Sequence, residues 1–101
     1  MNWLEVFRVH EFLKDAKYDN QWLVRGRVYA DFDLRVGDQI YVPYDADGQE
    51  DYQSYTITEI LRYGHLAEDI GSMWIGQLTI TGPNDPLLEE DSFLFMPVNR
   101  S

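Results

Sequence analysis

The sequence predicts an all-β fold, either a barrel or a sandwich of two sheets. Short stretches of alternating apolar and polar residues recur along the chain, separated by turns rich in Gly, Pro, Asn and Asp. Aromatic residues, which favour strands, make up 15% of the 101 residues. No stretch has the apolar spacing of a convincing amphipathic helix. Together these observations favour six short strands.

The first half of the chain contains three of the predicted strands. The first spans about residues 5–12. The second, residues 22–29, alternates between two faces, with Trp22, Val24, Gly26 and Val28 on one and Leu23, Arg25, Arg27 and Tyr29 on the other. A turn at Gly37, which can adopt positive φ, precedes the third strand at residues 39–42. Pro43 ends that strand because proline cannot donate to a ladder.

The second half begins with an acidic loop at residues 44–51, whose Asp-Gly dipeptide is typical of a hairpin turn. The fourth strand follows at residues 55–63. A connection at residues 64–71 is expected to hold one helical turn, at residues 66–70. The fifth and sixth strands are residues 73–81 and 92–96. Closure of these strands into a barrel would remove exposed edges.

Length and composition indicate a single domain, residues 1–101. The absence of cysteine excludes disulfides and thiolate metal sites. The first residues lack the basic start and apolar stretch of a signal peptide, and no apolar run approaches the roughly 20 residues of a membrane span. We therefore expect a soluble cytoplasmic protein with no membrane association.

The formal net charge is −10, and the acidic residues cluster. Residues 31–53 hold seven acidic residues and one basic residue. Such a surface repels phosphate backbones, so general nucleic-acid binding is disfavoured. A basic protein partner is permitted, although acidity alone can also serve solubility.

Several motifs, in their order and spacing, resemble domain 2 of translation elongation factor Tu and its relatives, a six-stranded Greek-key barrel. The resemblance covers nearly the whole chain. Its matching elements are Phe7-Arg8-Val9, Gly26-Arg27-Val28, the segment from Leu34 to Ile40, Ile57-x-x-Ile60, Ile80-Thr81-Gly82 and the segment from Leu88 to Phe95. The resemblance implies the barrel fold but not the function.

The chain also departs from the pattern of that family. Asp31 lies where the family usually has a glycine, and the turn before Val36 is about one residue longer. We expect a free-standing barrel without a GTPase domain before it, and the sequence has no Gly-Lys-Thr phosphate-binding loop. In translation factors the barrel helps to hold the aminoacyl end of a transfer RNA. The residues after Ile60 do not match the family's contact residues, so none is carried over.

No catalytic or metal motif is present, and we expect neither enzymatic activity nor a cofactor. The acidic loop lacks the glycine and glutamate positions of an EF-hand, so a solvated hairpin explains it better than a calcium site. His10 and His65 cannot complete a metal site by themselves. The serines lie outside any Gly-x-Ser-x-Gly context.

Two groups of residues are candidate contact sites. The first is an acidic, tyrosine-rich surface for a protein partner, formed by Tyr44, Asp45, Asp47, Asp51 and Tyr52. We therefore expect a non-catalytic protein-binding module. The alternative is a barrel that binds an RNA end or a small charged ligand through Arg25, Arg27 and Tyr29. Pairing of the two arginines with carboxylates on neighbouring strands is favoured over that contact. The oligomeric state is not predicted.

Overall fold

The computed structural model describes residues 2–14, 20–83 and 86–98, and these residues contain strands but no helix. The predicted all-β class is therefore confirmed. The strands are β1 (Trp3–Lys14), β2 (Gln21–Val28), β3 (Leu34–Arg35), β4 (Gln39–Ala46), β5 (Gln49–Arg62), β6 (His65–Ala67), β7 (Asp69–Ile70), β8 (Ile75–Thr81) and β9 (Phe93–Pro97).

Six strands pair into a ring. The main sheet has the order β4-β9-β1-β2-β8-β5-β6, and β4 also pairs with β5. The strands β4, β9, β1, β2, β8 and β5 thus close on one another, with antiparallel pairing throughout. β6 lies outside the ring, and β3 pairs with β7 in a separate two-stranded ladder.

The core lies inside this ring and follows the alternation of the strands. On β2, Trp22, Val24 and Val28 are buried, as the period of two predicts, whereas Arg25 on the opposite face is exposed. The other buried apolar side chains come from each of the five remaining ring strands and from three of the segments that connect ring strands. They are Val6, Phe7, Val9, Ala30, Leu34, Ile40, Val42, Tyr55, Ile57, Ile60, Ile70, Leu78, Ile80, Leu88 and Leu94.

Two register shifts in β1 shape the ring. The shift opposite β9 lies between Glu5 and Phe7, so that the consecutive residues Val6 and Phe7 are both buried. The shift opposite β2 lies between Val9 and Glu11. Beside it, β2 approaches β1 so closely that a Cβ on Gly26 would collide with the backbone carbonyl of Arg8. Glycine is required here because of the close approach of two backbones.

The acidic segment at residues 44–51 forms a hairpin with its turn at Asp-Gly, as predicted, but the prediction that it is a loop throughout is wrong, because β4 and β5 continue through it. Their pairing extends to Ala46 and Gln49, and the connection is the two-residue turn Asp47-Gly48, with φ of 52° and 80°. Positive φ at both positions is typical of the tight turn that Asp-Gly favours. Pro43 lies within β4, beyond the Tyr41–Phe95 pair with β9, and proline is tolerated at a strand edge.

The connection at residues 64–71 also differs from the prediction. It contains β6 and β7 in place of a helical turn. Ile70 is buried and pairs with Leu34 of β3, whereas Leu66 is exposed. β8 begins at Ile75, two residues later than predicted, because Met73 adopts a φ of 68° that is incompatible with a strand.

We expect Gly26→Ala to lower the free energy of unfolding by about 1–3 kcal/mol, the range for overpacking a well-packed site. The measurement is urea denaturation followed by tryptophan fluorescence. Gly71→Ala is the matched control, because a Cβ at Gly71 meets its nearest neighbour, Asp33 Oδ1, at 3.4 Å. Equal stability of the two variants would contradict the close approach at Gly26.

Candidate binding surfaces

The β4–β5 hairpin extends beyond the ring as a two-stranded arm. We call residues 42–53 the acidic arm. Aromatic rings lie on one face of the arm and on the part of β4 next to it. Trp3 of β1 packs against Tyr52 of the arm and against the adjoining Tyr41, at centroid distances of 5.7 Å and 5.5 Å. Tyr41 and Tyr52 also contact each other, at 5.2 Å and an interplanar angle of 85°. The Trp3 indole N–H donates to Glu50 Oε1 at 2.9 Å, which ties the start of the chain to the arm.

The five predicted partner-binding residues all lie on the acidic arm, but they do not form one face. Tyr52 belongs to the aromatic face, and strand alternation places Asp45 on that face as well. Tyr44 and Asp51 lie opposite each other on the other face, where the tyrosine hydroxyl donates to Asp51 Oδ2 at 3.3 Å. Asp47 is at the tip turn.

The charge on the aromatic face is concentrated at one pair. Asp45 and Glu50 are direct cross-strand partners, and both are exposed. Like charges in this position repel each other. No lysine or arginine occurs between Arg35 and Arg62 in the sequence, so the arm itself supplies no compensating cation. A groove of about 230 Å³ lies at this pair, lined by Trp3, Pro43, Tyr44, Asp45 and Glu50.

The second predicted group lies on the outer side of the ring. Arg25 is engaged by its neighbours: its Nε donates to Gln77 Oε1 at 2.9 Å, and its Nη1 donates to Glu11 Oε2 at 3.3 Å. Tyr29 packs against Phe93, with a centroid distance of 5.5 Å. Arg27 lies on the same face of β2, as predicted. The alternative that Arg25 pairs with a neighbouring carboxylate is thus confirmed for its contact with Glu11.

A third surface was not predicted from the sequence. It lies at the C-terminal end of β5 and contains the four most exposed large apolar side chains of the described residues. Their exposed fractions are 81% for Tyr63, 74% for Leu66, 57% for Met73 and 52% for Ile75. Trp74 joins them through a ring contact with Tyr63 at 5.6 Å. We call these five residues the apolar surface.

The backbone holds two side chains of the apolar surface in an unusual conformation. Tyr63 has φ of 52° and Met73 has φ of 68°. Bulky residues seldom adopt positive φ, which carries a conformational cost. Met73 is nevertheless fixed, because its N–H donates to the Val28 carbonyl at 2.8 Å and the Trp74 N–H closes a turn onto the Gly71 carbonyl at 3.2 Å.

Two neighbouring grooves cross the apolar surface. The larger, of about 540 Å³, is lined by Arg25, Leu61, Tyr63, Gly64, Ile75, Gly76 and Gln77. The smaller, of about 250 Å³, is lined by Arg62, Tyr63, His65, Leu66, Ala67 and Trp74. Tyr63 lines both grooves. Neither groove is lined by a carboxylate, and each contains one arginine.

The sequence contained one signal for the apolar surface. Large apolar residues flank the turn glycines at 64 and 71, where a connection between strands is normally polar. Leu66 lies on β6, outside the ring, a placement that the sequence pattern does not specify.

The histidines lie on separate strands, His10 on β1 and His65 on β6, and both are exposed. In the described part of the chain, no three His, Asp or Glu side chains are grouped so that they could hold a metal ion. A search of the same residues finds no helix with the length and apolar character needed to cross a membrane.

No protein-family model matches the chain, and no curated protein sequence is significantly similar to it. Function is therefore inferred from the surfaces themselves.

We expect Met73→Gly to be more stable than Met73→Ala by about 1 kcal/mol, because glycine at positive φ relieves the backbone cost that alanine retains. Both substitutions remove the same exposed side chain, so their comparison isolates the backbone term. The measurement is the free energy of unfolding in urea. Met73→Gly proving the less stable variant would contradict the positive φ.

Proposed function

We propose that the chain is a non-catalytic protein-binding module with a Greek-key barrel fold similar to domain 2 of elongation factor Tu. The ring of six antiparallel strands supports this fold. Two of its neighbouring pairs, β2 with β8 and β4 with β9, are distant in sequence, as Greek-key connections require. Because fold does not imply function, the binding role is argued from the acidic arm.

The observation that carries the proposal is the groove on the aromatic face of the acidic arm. It combines the Trp3 ring with two carboxylates in direct register, Asp45 and Glu50. A lysine or arginine side chain entering it would gain contact with the aromatic ring and would screen the repulsion between the carboxylates. The partner we propose is therefore a protein segment with exposed basic residues.

The net charge of the whole chain supports the same partner. The net charge of −10 would speed the encounter with a basic protein and disfavour acidic competitors. Asp47 at the tip and Asp51 on the second face would extend the attraction around the arm, while Tyr44 and Tyr52 supply stiff, amphipathic contact area. Binding through such a surface is expected to weaken as the salt concentration rises.

The test is capture of proteins from a lysate at low salt by the tagged chain, with elution by raised salt. We expect a basic protein to elute, and the combined variant Asp45→Asn, Asp47→Asn and Asp51→Asn to lose it. For the purified partner, the dissociation constant should rise about tenfold or more, as when charged interface contacts worth about 1.4 kcal/mol are removed.

The matched control is Asp31→Asn, Glu89→Gln and Glu90→Gln, which removes three exposed charges outside the arm. Equal loss of binding in the two combined variants would indicate a general charge effect and overturn the role of the arm. Failure to capture any basic protein, or unchanged binding by the arm variant, would also overturn it.

A second candidate function is recognition of an RNA end or a small charged ligand by Arg25, Arg27 and Tyr29. The groove beside Arg25 supports it, because its lining includes an arginine, a glutamine and apolar side chains. The hydrogen bonds from Arg25 to Glu11 and Gln77 weaken it, since an incoming phosphate would compete with a carboxylate that is already bound.

Binding of a fluorescent single-stranded RNA, measured by anisotropy at low salt, distinguishes this candidate. Under the protein-binding proposal we expect no binding by the wild type, because the net charge repels the phosphates. Binding that Arg25→Ala and Arg27→Ala both weaken, with the fold intact by circular dichroism, would instead favour the RNA candidate.

A further inference from the structure

The apolar surface is not explained by the needs of the core. The four most exposed large apolar side chains of the described residues meet there, and two of its members are held at positive φ. Exposed apolar patches of this kind mark interaction sites, and unusual backbone conformations cluster at functional positions. The surface therefore requires an occupant.

The charges around the apolar surface indicate what that occupant is. Arg25 is paired with Glu11 at 3.3 Å, and Arg62 is paired with Asp69 at 3.8 Å and lies 5.4 Å from the Trp74 ring centroid. The surface is thus locally balanced in a chain that carries −10 overall. A copy of the same chain would be repelled at the acidic arm but not here, and it would present matching apolar groups and matching ion pairs.

We propose that the apolar surface is the interface of a two-fold symmetric dimer of this chain. Two-fold contacts use the same patch on both copies, so a surface with an apolar centre and both signs of charge around it is suited to such a contact. Tyr63, Leu66 and Trp74 would form the centre, and the two ion pairs would lie toward the rim.

The dimer would leave the acidic arms free. Arm and apolar surface lie at opposite ends of β5, the arm at Gln49 and the apolar surface beyond Arg62. Each dimer would present two acidic arms, and a partner with two basic segments could bind both at once. The dimer itself does not depend on the function proposed for the arm.

Sedimentation equilibrium or light scattering over a range of protein concentrations tests the proposal. We expect the wild-type mass to rise toward twice that of the chain. Leu66→Glu and Ile75→Glu should remain at the monomer mass, with the dimer dissociation constant raised by about tenfold or more, because two copies of an unpaired carboxylate would be buried. Since Leu66 is 74% exposed, this variant decides the test if Ile75→Glu fails to fold.

Leu87→Glu is the matched control, because Leu87 is 49% exposed, close to the 52% of Ile75, and lies outside the apolar surface. It should dimerise like the wild type. A wild type that stays monomeric at every concentration would overturn the proposal. The proposal would also be overturned if Leu66→Glu and Ile75→Glu both still dimerised, or if the combined substitution in the acidic arm abolished the dimer while these two did not.

The same variants separate this proposal from the function of the arm. A monomeric Leu66→Glu chain should still bind a basic partner with an unchanged one-to-one dissociation constant. Loss of arm binding with an intact dimer would overturn only the proposed function, and loss of the dimer in wild type with intact arm binding would overturn only the dimer.

Discussion

The ring depends on one strand that changes partners along its length. The first half of β5 pairs with β4, and its second half pairs with β8 and β6. Thr56 is the point of change, because it is in register with Gln39 on β4 and also with Thr81 on β8. Without this shared strand, β4 and β8 would be the two edges of an open sheet, and unpaired edges favour aggregation.

The same strand determines where the surfaces lie. With 14 residues, β5 is the longest strand of the described chain, so it extends past the ring at both ends. At its start it forms the acidic arm with β4, and after Arg62 it turns into β6 and the apolar surface. Closure of the ring and separation of two chemically different surfaces therefore have a common structural cause.

Alternation predicted the parts of the fold in which one strand face is buried and the other is solvated. β2 is the clearest case, because Val24 and Val28 face the core while Arg25 is exposed. The extension of two strands into the acidic arm was not predicted, because most of its residues are polar or partly exposed, which leaves little alternation to detect. The predicted helical turn at residues 66–70 is wrong because Ile70 pairs with Leu34 and is buried, whereas Leu66 pairs with Leu61 and is exposed.

The candidate surfaces were less predictable than the fold, for a physical reason. Composition identified the acidic tyrosine-rich segment and its Asp-Gly turn, but the faces on which Tyr44 and Tyr52 lie follow from a strand register that the sequence did not specify. Positive φ at Tyr63 and Met73 opposes the preference of both residue types, so no local rule would assign it. Each such residue costs about 1–3 kcal/mol, an appreciable share of the roughly 5–15 kcal/mol that stabilises a domain. Two bulky side chains that face solvent at this cost are explained by contacts beyond the monomer, which is why the apolar surface is better understood as an interface than as an imperfect part of the core.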